Sequence, residues 1–283
     1  MASVAVLRSY PSITYHNARA QLSAILVEQA LIQARIPFHL VFDEHLADLS
    51  PSRYKVLILP NSECLSDEQL VAIRRFVGNG GGLIATEQAG LYDTWRRLRA
   101  EPGLQGIVDQ QPSAGEYQET VVGGPVEGGG PTRKESGQGR TVYFQEIKFD
   151  GPLPAAEPYF SISRRFWKRP QNWVELVDAI RWAARGDVPL QVMGPDYLVA
   201  NLVEQPEKRR RLVHLVNYNL KETPLIENID VRCAVPVGQT ANAVKLLAPD
   251  SDASVRLDFR MQSPMAVFSI PKLKTYCVAE VTW

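Results

Sequence analysis

The chain has 283 residues, long enough for two domains, and its 45% hydrophobic and 22% charged content excludes a largely disordered or fibrous protein. Its 31 Lys and Arg balance 31 Asp and Glu, so there is no global basic field to hold nucleic acid or an anionic membrane, and neither is expected as a partner. Cys64, Cys233 and Cys277 are too scattered for a disulfide framework or a paired zinc site, and no stretch reaches the ~20 apolar residues of a membrane span; the expected setting is reduced and cytoplasmic.

Val4 to Leu7 make a first apolar strand, followed by a polar turn over Arg8 to Ser12. Asn17 can cap a helix whose apolar positions Leu22, Ile25, Leu26 and Ala30 recur at helical spacing to about Arg35. Pro37 starts the strand Phe38 to Phe42, and Asp43 to Arg53 reads as a short irregular crossover. Val56 to Leu59, wholly apolar and closed by Pro60, has the form of a parallel strand covered on both faces. Ser66 and Gln69 form a capping box for a helix with Asp67 and Glu68 in its first turn and Leu70, Ile73, Phe76 and Val77 on its apolar face. That helix stops at the glycines Gly78 to Gly82, and Leu83 to Ala85 return as a second buried strand.

This βαβ unit leaves the C-terminal ends of both strands on one sheet edge, where open α/β sheets carry ligands, so Asn61 to Leu65 and Thr86 to Asp93 are expected to face each other. Periodicity is lost between Asp109 and Arg140, which reads as a long surface excursion. Thr141 to Phe144 add a strand, and Val174, Val177, Ile180 and Ala184 lie on a helix ending at Gly186. Short alternating strands follow at Leu198 to Val203, Arg211 to Asn217, Ile229 to Val235, Ala243 to Leu247, Val255 to Phe259, Ala266 to Ile270 and Tyr276 to Val281. The fold expected is a doubly wound, mostly parallel α/β domain over 1-186, then a small antiparallel β-sandwich over 187-283.

Several of these words resemble a known family. Val56 to Asn61, Leu65 to Gln69, Gly80 to Thr86 and Leu91 to Asp93 look like the amidotransferase-like, flavodoxin-like trimerisation domain of family forty-two β-galactosidases and related glycoside hydrolases. Leu212 to Tyr218, Asn228-Ile229 and Leu246 to Asp250 resemble the β-sandwich that ends those chains. The resemblance implies a domain that assembles subunits behind a catalytic barrel with two carboxylates. No such barrel stands in this sequence, so no glycosidase residue carries over. The class I amidotransferase nucleophile is a cysteine on the sharp turn that here reads Thr86-Glu87-Gln88-Ala89-Gly90, so glutaminase activity is not expected either.

The remaining chemistry gathers on the sheet edge. Cys64 lies just before a helix N-terminus, which can lower a thiol pKa, but no neighbouring histidine supplies a base. Asp43, Glu44 and His45, with Asp48, form an acidic cluster expected near Glu63 and Glu87, and oxygen ligands of this kind suit a hard cation such as calcium. Solvated loop charges are the plainer alternative. Glu87 or Gln88 projects over the edge from the elbow, and His16 can turn toward Tyr10. Arg96, Arg97 and Arg99 suit an anionic ligand, a solvated helix face or a subunit contact, and Lys208 to Arg211 a charged hairpin turn.

Two functions follow as expectations. The first is a non-catalytic accessory and oligomerisation module without a cofactor, a homo-oligomer (dimer or trimer) built on Leu91, Tyr92, Trp95, Phe166, Trp167 and Trp173, with a carbohydrate or another small molecule as ligand. The alternative is a small-molecule hydrolase of esterase or lactonase type, using Tyr10, Asp43, His45, Glu63, Cys64 and Glu87 with or without a divalent cation.

Overall fold

A computed structural model describes residues 2–110, 130–151, 163–219, 221–222, 224–249 and 254–283. The chain forms two compact units: Val4–Ala30 with His39–Asp187, and Leu31–Phe38 with Val188–Trp283 and the first residues of the chain.

The first unit holds strands β1 (Val4–Arg8), β2 (Phe38–Phe42), β3 (Val56–Leu59), β4 (Gly82–Thr86), β5 (Thr132–Ser136) and β6 (Gly139–Phe144). They form one sheet in the order β2-β1-β3-β4-β6-β5. Its inner pairs β1/β3, β3/β4 and β4/β6 are parallel, and β5 runs antiparallel at the edge. The helices are α1 (Tyr10–Tyr15), α2 (Asn17–Gln33), α3 (Asp67–Gly78) and α4 (Trp173–Ala183), with 3-10 turns at Asp43–Asp48 and Arg164–Phe166.

Every residue of β3 is buried, as its unbroken apolar run requires of an internal parallel strand. Leu70, Ile73, Phe76 and Val77 of α3 share a core with Leu57, Leu59, Leu83, Ala85 and Tyr143 on one sheet face. The capping box forms as expected: the Ser66 N–H donates to Gln69 Oε1 (2.8 Å) and the Gln69 N–H to Ser66 Oγ (3.2 Å).

Three readings are corrected. The polar stretch after β1 is not a turn but α1, with Pro11 in the first turn, where its missing N–H costs nothing. Asn17 is then the first residue of α2 rather than its cap. Part of the glycine-rich stretch is also a strand, because β5 pairs with β6 across Gly137-Gln138, with Gly137 at φ 58. Its sequence Thr-Arg-Lys-Glu-Ser carries the charge that protects an open edge. The part 111–129 lies outside the described residues.

The second unit contains β7 (Leu190–Val192), β8 (Leu198–Gln205), β9 (Arg210–Asn217), β10 (Ile226–Ala234), β11 (Ala243–Leu247), β12 (Val255–Leu257), β13 (Phe259–Gln262), β14 (Met265–Leu273) and β15 (Tyr276–Thr282). They make two antiparallel sheets, β13-β14-β10-β7 and β12-β11-β15-β9-β8, whose side chains share one core. The segment expected as one strand over Val255 to Phe259 divides between the two sheets, and β7 was too short to be read. By their contacts the two units divide between Asp187 and Val188, and Leu31–Phe38 groups with the second unit. Arg35 gives the reason: it is buried at φ 57, and its guanidinium donates to the carbonyls of Leu198 (3.0 Å), Gly194 (2.8 Å) and Pro195.

Gly139 opens β6 where α3 and the glycine turn come closest, and a Cβ there would lie 2.4 Å from the carbonyl oxygens of both Gly81 and Val77. Gly139→Ala is expected to destabilise the protein by about 1–3 kcal/mol through this overpacking. A urea midpoint equal to that of the wild type would contradict the close approach.

Candidate functional site

The two edge loops face each other as the βαβ reading requires. Gly90 N–H donates to Ser62 O (2.9 Å), Tyr92 N–H to Glu63 O (3.0 Å) and Leu65 N–H to Tyr92 O (3.1 Å). Asn61 N–H also reaches Thr86 Oγ1 (2.9 Å), and Gln88 N–H reaches Asn61 Oδ1 (3.1 Å). Both loops leave their strands through a left-handed residue that is not glycine, Asn61 at φ 40 and Glu87 at φ 55. Such backbone is costly and persists only where its surroundings fix it.

Glu87 is held through its backbone and through Oε2, while its buried Oε1 faces Arg19 without a hydrogen bond. Tyr143 OH donates to its carbonyl (2.8 Å), and its own N–H donates to Phe144 O (2.8 Å). Its carboxylate accepts from Ser23 Oγ (2.5 Å) and Thr86 Oγ1 (3.1 Å) and pairs with Arg19 Nη2 (3.1 Å), which also lies 3.5 Å from Glu146. Ser23 and Arg19 stand four residues apart on α2, so both face the same carboxylate. Burial pushes the Glu87 carboxyl above its ordinary value of 4.5, opposed first by Arg19 and then by the Ser23 and Thr86 hydroxyls.

Glu63, also buried, forms the second center. Its Oε1 lies 2.6 Å from His16 Nδ1 and accepts from Asn61 Nδ2 (3.0 Å), and its Oε2 lies 3.5 Å from Arg96 Nε. Arg96 stacks its guanidinium over the Tyr92 ring at 5.6 Å. Glu63 therefore ties α1's C-terminal end to the loop after β4. Arg97 pairs with Asp93, and Arg99 with Asp67 and Leu65 O, so these arginines serve internal contacts rather than a helix face.

Other sequence candidates do not join this cluster. His16 turns to Glu63, leaving Tyr10 69% exposed. Because β1 separates β2 from β3, the 3-10 turn bearing Asp43, Glu44 and His45 lies off to one side. Asp43 accepts from Tyr10 N–H (2.6 Å) and lies near Gln69, and burial raises its pKa. His45 Nδ1 accepts the Phe42 N–H (3.0 Å), while Glu44 and Asp48 are exposed. The acidic cluster expected beside Glu63 and Glu87 is thus not assembled, and no three His, Cys, Asp or Glu among the described residues are grouped to hold a metal ion. Cys64 is fully buried, and burial, with the Glu63 charge next, pushes its thiol up to about 11, the reverse of an activated thiolate.

A cavity of about 10 Å³ between β1, α1 and Ser62 has room for no more than a water molecule. A groove of about 350 Å³ runs beside α3 between Leu70, Val71, Arg74 and Pro102; of the sequence candidates Arg99 lines it, paired there with Asp67, while none of the carboxylate, histidine or cysteine candidates does. Leu91 and Phe166 are buried within the chain, which removes them from the expected interface set and leaves Trp95 and Trp167 exposed. Arg19 and Ser23 were not singled out in the sequence; their i, i+4 spacing on α2 was the signal available.

No protein-family model and no curated protein sequence matches the chain. Among solved structures, α-L-fucosidase isoenzyme 2 from Paenibacillus thiaminolyticus aligns with TM-score 0.63 and 18% identity over 100% of this chain and 49% of its own. A GH42 β-galactosidase from G. stearothermophilus aligns with TM-score 0.58 and 16% identity over 99% of this chain and 40% of its own. The β-galactosidase from Bacillus circulans sp. alkalophilus gives 0.57 and 15%, over 99% and 41%. The chain spans less than half the length of each of these structures, and at such identities the likeness is one of fold.

Two measurements check the site. Folded Glu87 holds its proton more tightly than the unfolded chain does, so its contribution to stability is complete below pH 4.5 and is lost as pH rises through the raised folded value. The unfolding free energy of the wild type minus that of Glu87→Gln should therefore fall as pH rises from 4.5 toward neutrality, and a rising difference would refute the assignment. Cys64, Cys233 and Cys277 are all buried, so Ellman's reagent at pH 8 should label the native protein far more slowly than the protein in denaturant. Rapid native labelling mapped to Cys64 would contradict the buried-thiol description.

Proposed function

We propose that the chain is a non-catalytic accessory and assembly module resembling the rear part of a glycoside hydrolase, with an amidotransferase-like, flavodoxin-like domain over 1-186 and a β-sandwich over 187-283. The observation that carries this reading is the state of the sheet edge. At the corner where a nucleophile would stand, Glu87 is buried and bound by Arg19, Ser23 and Thr86. The second carboxylate, Glu63, is buried, with Oε1 taken up by His16 and Asn61 and Oε2 ion-paired with Arg96. Groups committed in this way brace loops; a general base must be free to reach a substrate proton.

The extent of the structural likeness supports the same reading, since all of this chain aligns with under half of a fucosidase chain. An esterase or lactonase needs Tyr10, Asp43, His45, Glu63, Cys64 and Glu87 to converge, whereas Asp43, His45 and Cys64 are turned to local partners or buried. The module would work as a homo-oligomer, either beside a hydrolase or within one.

Two assays test this. Chromogenic glycosides, esters and lactones, with and without chelator, should show no turnover above buffer. Light scattering should give a mass of two or more copies. Turnover that disappears in Glu87→Gln with thermal unfolding unchanged would overturn the non-catalytic half, and a monomer at high protein concentration would overturn the assembly half.

A further inference from the structure

The mostly parallel sheet carries opposite charge on its two flanks. At the β6 side, Ser163 to Arg169 contains Arg164, Arg165, Lys168 and Arg169 and no acid. Arg164, Arg165 and Lys168 are exposed and make no ion pair among the described residues. The segment is fixed beside the end of β6: Asn172 donates to Glu146 O (2.9 Å) and accepts from Lys148 N–H (3.0 Å), and the Phe166 and Phe149 rings are 5.4 Å apart. Trp167 stands 45% exposed among these cations. Lys148 adds a charge here, against the exposed acids Asp150 and Glu175 nearby in the chain.

At the opposite flank, β2 ends in the 3-10 turn with Glu44 and Asp48, both exposed. Gln69 Nε2 lies 3.4 Å from Asp43 Oδ1, which brings the exposed Glu68 at the start of α3 into the same surface. Glu44, Asp48 and Glu68 make no ion pair among the described residues; the cations set against them on this flank include Arg75, bound to Ala47 O, and the exposed Arg53 near His39 of β2. The edge strand is also unguarded. Leu40 and Phe42 are 44% and 46% exposed, whereas the other edge, β5, is covered with charge.

β2 and β6 stand four strand steps apart, about 19 Å at ~4.8 Å per step, so the two flanks of one molecule cannot neutralise each other. A second copy brings them together. Resting on the assembly reading above, we propose that the chain self-associates head to tail, the basic segment with Trp167 of one copy seating on the acidic turn and the exposed β2 edge of the next. The contact has a flat aromatic and two apolar side chains at its center and opposite charges around it, as protein interfaces do. Repeated, it closes a ring, or pairs twice across a two-fold axis.

Charge exchange tests it by sedimentation velocity of the full chain. Arg164→Glu with Arg165→Glu and Lys168→Glu should weaken association at least about tenfold, as should Glu44→Lys with Asp48→Lys and Glu68→Lys, because each places like charges across the contact. Mixing the two variants, or combining all six changes in one chain, should restore it, which a folding defect would not. Raising the ionic strength should weaken the wild-type complex. An oligomer unchanged by either reversal, with its charged flanks then serving an acidic protein or a polyanion, overturns this contact and leaves the assembly reading standing. A wild type that is monomeric at every concentration overturns both.

Discussion

Two carboxylates buried at the C-terminal edge of one sheet set the terms for the rest of the first unit. A buried carboxylate is tolerated only when it is neutralised or paired, and removing one partner from a buried pair costs about 3–5 kcal/mol. Glu87 and Glu63 therefore require Arg19, Arg96 and His16 to be where they are. Each pair crosses between elements: α2 to the end of β4, the start of α2 to the end of β3, and the loop after β4 back to the end of β3. The left-handed backbone at Asn61 and Glu87 fits this picture, since strained residues survive only where several contacts fix them. The edge that in other α/β sheets opens to ligand is here a set of cross-braces.

Local rules were legible wherever one element decides its own form. The apolar run of β3, the Ser66/Gln69 capping box and the glycine stop of α3 each depend on neighbours within a few residues, and each is found where the sequence places it. What the sequence hid depends on distance. Arg19 and Glu87 are far apart in the chain, and nothing near either residue announces the pair. The acidic turn after β2 was expected beside Glu63 because strand order was not known; inserting β1 between β2 and β3 moves it to the flank. α1 was missed because Ser-Tyr-Pro-Ser has turn composition, although proline is equally at home in a first helical turn. β5 was missed because its charged residues, suited to an edge, carry no apolar alternation.

The same strand order that dissolves the expected acidic site creates the charge asymmetry of the sheet. A chain with balanced totals can still be dipolar when its unpaired acids and unpaired bases lie at opposite ends of a sheet. Elsewhere in the chain cations find partners close by: Arg8 with Glu28, Arg133 with Asp178, Arg140 with Glu135, Arg211 with Glu204. Arg164, Arg165 and Lys168 make no ion pair among the described residues, and Arg165 lies over the Phe166 ring at 4.7 Å.

Bracing and asymmetry belong together. An assembly surface made of a loop and an edge strand keeps its shape only if the sheet between them does not flex, and coupled ion pairs hidden from salt resist loosening better than exposed ones. Catalysis asks the reverse of an edge: a group whose proton or lone pair is free when substrate arrives. Glu87 occupies the left-handed corner after β4, where Ser23 from α2 takes up its Oε2 and Arg19 stands 3.1 Å from its Oε1. The contacts of Glu87 hold α2 against the end of β4.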